Sequence, residues 1–307
     1  MTTLIIGAGF IGTNLVQHFL RSGIDDITVM SRSAPLRLFP RVRYVRSDIL
    51  EFARDVPIIE RCSNIIFAAG PSTIIEAEKI VPADLANTEF WMSALLEFAC
   101  RHNSRFVYLS SGGTVYGDSR LIPTPEFQST LANSTYALYH IINENLVSLF
   151  SLTRKLSACV LRIANPYGPL QRIERGQGFI TTSVNRALRG ESVVVFGDGT
   201  ITRDFIYITD VCIAITKALN RSVPNLVYNV ASGIGTNQLE IIDLIAEALG
   251  QPICVKLQDA RQIDIPCSVL DIVKATEELN WSPVIGLHAG IANIATWLRD
   301  AQISVNQ

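Results

Sequence analysis

The 307-residue sequence holds no surplus of either charge: 26 Lys and Arg stand against 28 Asp and Glu, a formal net charge of -2. A dedicated nucleic-acid binder needs a basic surface against phosphates, so no nucleic-acid partner is expected. No apolar run approaches the roughly 20 residues of a bilayer span, and no membrane association is expected either. Met1 to Gly7 reaches a glycine after three apolar residues with no basic stretch before them, which is unlike a secretory signal. The 4 histidines and 6 cysteines form no Cys-x-x-Cys and no cluster at metal-ligand spacing, so no metal site is expected. Cys62, Cys100, Cys159, Cys212, Cys254 and Cys267 sit mostly in apolar runs. They read as core thiols of a reducing compartment, and the expected location is cytoplasmic.

What is present is an ordinary globular composition, 48% hydrophobic and 18% charged. A chain of this length buries on the order of 75% of its unfolded surface without disulfides or metals. Candidate buried strands are Thr3 to Ile6, Ile27 to Met30, Val42 to Val45, Asn64 to Ala68, Arg105 to Leu109 and Ala158 to Ile163. Between them, apolar residues recur at three and four, as in Gly12 to Ser22 and Phe90 to Arg101, which is the helical spacing. Strands buried on both faces and joined by helical crossovers imply an α/β fold with a doubly wound parallel sheet. After about residue 166, Gly and Pro become denser. Asn225 to Val230 reads as one further strand, and helices are expected at Gln238 to Leu249, Ile272 to Leu279 and a last segment ending at Trp297 to Ala301. The expected division is a domain over 1–165, rejoined by about 225–231, and a smaller C-terminal substrate-binding domain over 166–307.

Gly7-Ala8-Gly9-Phe10-Ile11-Gly12 follows the first strand and opens a helix. In that context the glycines allow a tight turn, close approach of a pyrophosphate and packing of helix on strand, so the fold is expected to be Rossmann-type and to bind a dinucleotide, with Ala68 at the end of the fourth strand beside it. An Asp or Glu ending the second strand would accept from a ribose 2'-OH. Here that strand ends in Ser31-Arg32, with Arg37, Arg41, Arg43 and Arg46 following, which suits a 2'-phosphate and favours NADP(H) over NAD(H). A solvated basic loop is the alternative for these arginines. Asp48 and Ile49, closing the third strand, are candidates to hold the adenine, or a turn.

Leu109 to Gly117 (Leu-Ser-Ser-Gly-Gly-Thr-Val-Tyr-Gly), Tyr136 with Glu144 downstream, and Arg162 to Gly168 (Arg-Ile-Ala-Asn-Pro-Tyr-Gly) resemble the extended short-chain dehydrogenase/reductases. Within them the chain is most similar to the nucleotide-sugar epimerase/dehydratase family, including UDP-glucose 4-epimerases. Gly197 to Gly199, Arg203 to Tyr207, Tyr228 to Val230, Arg261 to Asp264 and Leu279 to Pro283 fall in that family's order, so the resemblance spans nearly the whole chain. It implies a nucleotide-activated sugar as substrate and a homodimer. It also implies that Tyr136 is the acid/base on the sugar hydroxyl, and that Asn165, Arg203 and Arg261 contact the nucleotide diphosphate. An ion pair of Arg203 with Asp204 or Asp210 is the alternative for that arginine.

Two positions depart from the family pattern. Four residues after Tyr136, where the family has a lysine that lowers the phenol's pKa and holds the nicotinamide ribose, stands His140. A neutral imidazole shifts a phenol less than a fixed cation does, although His140 lies on the same helical face and can donate to the ribose or the phenolate. Where the family has a catalytic hydroxyl, four residues before Tyr116, stands Gly112, with Ser111 and Thr114 as neighbouring substitutes. The leading expectation is a nucleotide-sugar 4-epimerase working by transient oxidation at C4. The alternatives are an NADPH-dependent 4-ketosugar reductase, in which Tyr136 only donates a proton, and a cofactor-binding family member with impaired catalysis.

Overall fold

A computed structural model describes residues 2–47, 62–71, 77, 82–175, 178–220, 226–260 and 265–305. The Val- and Ile-rich runs become strands because β-branched side chains pack well on a pleated surface. In chain order these are β1 (Thr3–Ile6), β2 (Ile27–Ser31), β3 (Arg43–Arg46), β4 (Asn64–Phe67), β5 (Arg105–Ser111) and β6 (Ala158–Ile163). Strands β7 (Asn165–Tyr167), β8 (Val193–Phe196) and β9 (Thr202–Tyr207) follow, then β10 (Val227–Val230), β11 (Gly235–Asn237), β12 (Val255–Gln258) and β13 (Cys267–Ser268). Seven of them form one parallel sheet in the order β10-β6-β5-β4-β1-β2-β3. The order reverses between β1 and β4, so the crevice beyond their C-terminal ends is the place where such a sheet holds a ligand.

Helices α1 (Phe10–Arg21), α2 (Pro82–Arg101), α3 (Gly112–Val115) and α4 (Thr135–Arg154) belong to the first half of the chain. After them come α5 (Phe179–Leu188), α6 (Ile208–Ala218), α7 (Gln238–Leu249), α8 (Val273–Leu279) and α9 (Leu287–Val305). Successive strand residues point to opposite faces, and each face has its own core. Leu4, Ile6, Met30, Phe67, Phe106 and Tyr108 pack with Trp91 and Leu95 of α2 and Val147 of α4. Ile5, Val29, Ile66, Val107 and Leu161 pack with Leu15 and Phe19 of α1 and Val211 and Ile215 of α6. The second core continues without a break to Ile291 and Leu298 of α9, so the two halves of the chain share it.

Beyond the main sheet, β9 lies between β11 and β13 and also pairs with β7, while β8 and β12 form a separate parallel pair. Helix α2 begins at Pro82, earlier than the apolar spacing from Phe90 suggested. Proline fits there because a first helical turn leaves its N–H groups unpaired anyway. The cysteine reading needs a correction. Cys62, Cys159 and Cys212 are buried, and burial pushes each thiol up to about 12, but Cys100 and Cys267 are half-buried and Cys254 is exposed. Cys254 is exposed because it leads into β12, an edge strand whose four residues all face solvent. Among the described residues, no helix is long and apolar enough to cross a membrane.

Candidate active site

The glycine turn after β1 holds its shape through contacts that only glycine permits. Gly7 has φ of +114°, and a Cβ there would stand 2.6 Å from the Ala68 carbonyl oxygen beyond β4. A Cβ on Gly12 would stand 2.0 Å from the Gly7 carbonyl oxygen, so α1 rests directly on the turn. Gly9 is different: a Cβ there would meet nothing within 4 Å. Gly9 is also the N-cap of α1, which has no side-chain cap and no acidic residue in its first turn, while Phe10 and Ile11 pack partly against the core. An open face of backbone at the positive end of a helix fits a pyrophosphate. At the end of β2, the Ser31 hydroxyl donates to the Ser33 carbonyl at 2.7 Å, and Arg32 is exposed. Arg46 of β3 lies opposite Ser31 in the sheet register and is likewise exposed. Asp48, Ile49 and Arg261 lie outside the described residues.

The same end of the sheet carries the acid/base candidates. Ser134 caps α4 by accepting from the Ala137 N–H at 3.2 Å, which fixes the first turn where Tyr136 sits. The Tyr136 phenol faces the Ser111 side chain at the end of β5. Burial raises the phenol above its ordinary pKa, and the nearby Ser111 hydroxyl pulls it back down. Thr114, the other neighbouring hydroxyl, donates instead to the Ser111 carbonyl at 3.3 Å. Gly112 itself has no room for a side chain, since a Cβ would stand 2.5 Å from Leu270 Cδ1 and 2.8 Å from the Arg162 carbonyl oxygen.

His140, one turn beyond Tyr136, meets a different phenol from the one its spacing suggested. Its Nδ1 lies 2.9 Å from the Tyr108 hydroxyl of β5. Its ring packs edge-on against Tyr136, with centroids 4.7 Å apart, and against Tyr139 at 5.4 Å. Nε2 is buried without a hydrogen-bond partner. Burial among these rings pushes the imidazole pKa down to about 3, so it is neutral at physiological pH.

A second set of polar residues lies behind this pair. Glu144, two turns beyond Tyr136, is buried, and its carboxylate accepts from Arg162 Nε at 3.1 Å, from Arg162 Nη2 at 2.6 Å and from the Ser110 hydroxyl at 2.5 Å. Arg162 Nη1 donates to the Tyr116 hydroxyl at 2.9 Å, and that hydroxyl donates to Asn229 Oδ1 at 2.7 Å. Sequence reading quoted Glu144 and Arg162 without giving them a role. The available signal was a lone arginine inside the fully buried strand β6, because a buried charge requires a partner.

On the substrate side, Asn165 Nδ2 donates to the Asp204 carbonyl at 2.8 Å, and Arg203 Nη1 donates to the carbonyls of Thr202 at 2.9 Å and Ile265 at 2.5 Å. The buried Asp204 carboxylate accepts from Ser232 N at 2.8 Å, Ser232 Oγ at 2.6 Å, Gly233 N at 3.0 Å and Leu270 N at 3.3 Å. Asp204 thus ties the segment before β11 to the one after β13.

Comparison with known proteins places this geometry in a family. A UDP-glucose 4-epimerase of Mycolicibacterium smegmatis is 29% identical over 311 residues, covering 98% of this chain and 99% of its own. The solved structure of UDP-glucose 4-epimerase from Thermotoga maritima with UDP-glucose superimposes with a TM-score of 0.90 at 27% identity, covering 98% of this chain and 100% of the other. UDP-glucose 4-epimerase from Thermus thermophilus in complex with NAD gives a TM-score of 0.89 at 25% identity, with the same coverage. The sequence pattern of the NAD dependent epimerase/dehydratase family runs through residues 3–231, from the first strand of the main sheet to just past its last, and the chain belongs to that family.

Proposed function

We propose that this protein interconverts nucleotide-activated hexoses at C4 with a nicotinamide dinucleotide as the redox partner. The placing of the Tyr136 phenol beside the Ser111 hydroxyl, at the crevice end of the sheet, carries the reading. The glycine turn and the start of α1 would hold the pyrophosphate, and α4 packs on the segment after β4 that meets the turn, since a Cβ on Gly7 would stand against Ala68 and the Tyr139 ring lies 3.1 Å from where a Cβ of Gly70 would be. When bound, the cofactor supplies a hydride acceptor and donor for C4. The chain's own part is to move the O4 proton: Tyr136 takes it and returns it, with Ser111 holding the phenol in line. Asn165, Arg203 and Arg261 are proposed to face the nucleotide diphosphate, with Thr114 bracing the Ser111 backbone. The expected outcome is C4 epimerisation of a UDP-hexose with no net absorbance change at 340 nm. Tyr136→Phe should abolish it while leaving nucleotide-sugar affinity within about twofold in calorimetry, because the ring still fills its space. Full activity in that variant overturns the assignment.

Ser31, Arg32 and Arg46 at the rim of β2 and β3 support a preference for NADP(H). Arg32→Ala should weaken NADPH about tenfold or more and NADH little, since a charge-assisted bond to phosphate is worth about 1.5–3 kcal/mol. Equal losses for both forms in calorimetry would remove Arg32 from this role. The same rim favours a second reading, an NADPH-consuming 4-ketosugar reductase, and so does the state of Tyr136, a buried phenol beside a neutral imidazole and suited to donating a proton. Stoichiometric NADPH oxidation with a 4-keto nucleotide sugar would select it. A homodimer through α2 and α4 is also proposed, supported by exposed apolar side chains on these packed helices: Phe90 at 71%, Leu149 at 52% and Leu152 at 81%. The cytoplasmic reading rests on six cysteines that are all free, and cell fractionation checks it.

A further inference from the structure

We infer that Arg162 and Glu144 are positioning residues that hold the Ser111–Tyr136 pair in register and tie it to the C-terminal segment across the site. This inference rests on the proposed acid/base reading. Helix α4 carries Tyr136 and Glu144 two turns apart, and β5 carries Ser110 and Ser111 side by side. The Glu144 carboxylate receives Ser110 from the strand and the Arg162 fork from β6, so one buried anion fixes the helix against both strands. Ser110 adjoins Ser111 on β5 and Glu144 follows Tyr136 by two turns on α4, so the ion pair and the Ser111–Tyr136 pair are carried by the same helix and strand. A shift of helix on strand large enough to part Ser111 from Tyr136 must also break this buried ion pair, which leaves two charges without partners.

The network continues outward from Arg162. Its guanidinium lies 4.8 Å from the centre of the Tyr116 ring and donates to that tyrosine's hydroxyl, which in turn holds Asn229. Asn229 Nδ2 donates to the carbonyls of Thr124 and Asp271, both at 2.9 Å, and its N–H donates to Glu126 Oε1 at 2.8 Å. The Thr124 carbonyl accepts from the Asp271 N–H at 2.9 Å and the Thr124 N–H donates to the Val269 carbonyl at 2.8 Å, and Leu270, which Thr124 faces, covers Gly112. A continuous buried chain of hydrogen bonds therefore runs from the catalytic helix to the segment that follows β13.

The test uses three variants of the full chain. Tyr116→Phe removes one hydroxyl and keeps the Arg162–Glu144 pair, Glu144→Gln removes the anion at nearly constant shape, and Arg154→Ala is a surface control. We expect kcat to fall about tenfold in Tyr116→Phe and further in Glu144→Gln, with KM changed less than threefold, since small misplacements of reacting groups cost about that much or more. The 13Cζ resonance of Tyr136, identified by its loss in Tyr136→Phe, should move in both variants and stay in place in Arg154→Ala. This second readout requires no turnover, so it decides the positioning role even if no nucleotide sugar is epimerised and the functional reading fails. An unmoved resonance in a folded Tyr116→Phe or Glu144→Gln protein overturns the inference, as does a loss expressed in KM alone.

Discussion

His140 illustrates how a single side chain can be read from spacing and still be given the wrong neighbour. Spacing puts it one turn from Tyr136, and the ring does pack there, but its hydrogen bond goes to Tyr108, which is remote in sequence and lies on β5. Burial keeps it neutral down to about pH 3, whereas an unfolded histidine titrates near 6.5. Below pH 6.5 the unfolded chain binds a proton that the folded protein does not. Stability from this group is therefore full above pH 6.5 and is lost as the pH falls toward 3, by roughly 1.4 kcal/mol per pH unit. His140→Gln should flatten the decline in urea midpoint between pH 7 and pH 5 relative to the parent. Parallel declines in the two proteins would show that the imidazole is not held neutral. The glycine turn and Tyr136 were legible because each is a local signal, a few residues beside a recognisable strand or helix. Tyr108 with His140 and Glu144 with Arg162 were not, since each pair joins separate elements and no local pattern links their members.

At the scale of elements, six of the seven strands of the main sheet were legible because burial makes them near-continuous apolar runs, while the edge strand β3, with Arg43 and Arg46 exposed, shows only the apolar Tyr44 and Val45. The small sheet of β7, β9, β11 and β13 was not. Strands β7, β11 and β13 run to only two or three residues, and β9 mixes Ile206 and Tyr207 in the core with the polar anchor of Asp204 on Ser232, Gly233 and Leu270, which leaves no clean hydrophobic period to find. The turn between β1 and α1 separates folding from binding in one motif. Gly12→Ala places a methyl 2.0 Å from the Gly7 carbonyl oxygen and should prevent α1 from seating, with a loss of about 1–3 kcal/mol or more. Gly9→Ala points a methyl into open space, so the melting temperature without cofactor should hold within a degree or two while dinucleotide affinity drops. Thermal melts with and without cofactor distinguish the two, and a Gly9→Ala protein that binds as well as the parent would place the pyrophosphate elsewhere.

On the scale of the whole molecule, the two parts of the chain are joined by packing, because one apolar core runs from Ile5 to Leu298. The proposed homodimer would bury the apolar side chains that α2 and α4 leave outside that core. Leu152→Arg, at a position 81% exposed, should leave folding intact and give monomers in sedimentation equilibrium, and a dimer that persists would move the interface off these helices. The crowding around Gly112 limits what can be engineered there. Two separate parts of the chain, Leu270 and the Arg162 carbonyl, occupy the space a side chain at 112 would need. Truncating Leu270 relieves only one of them, and the backbone of β6 remains. A Gly112→Ser substitution therefore has to push back the β6 backbone as well as Leu270 before its hydroxyl can be seated, and Ser111 is the hydroxyl that this arrangement leaves to the site.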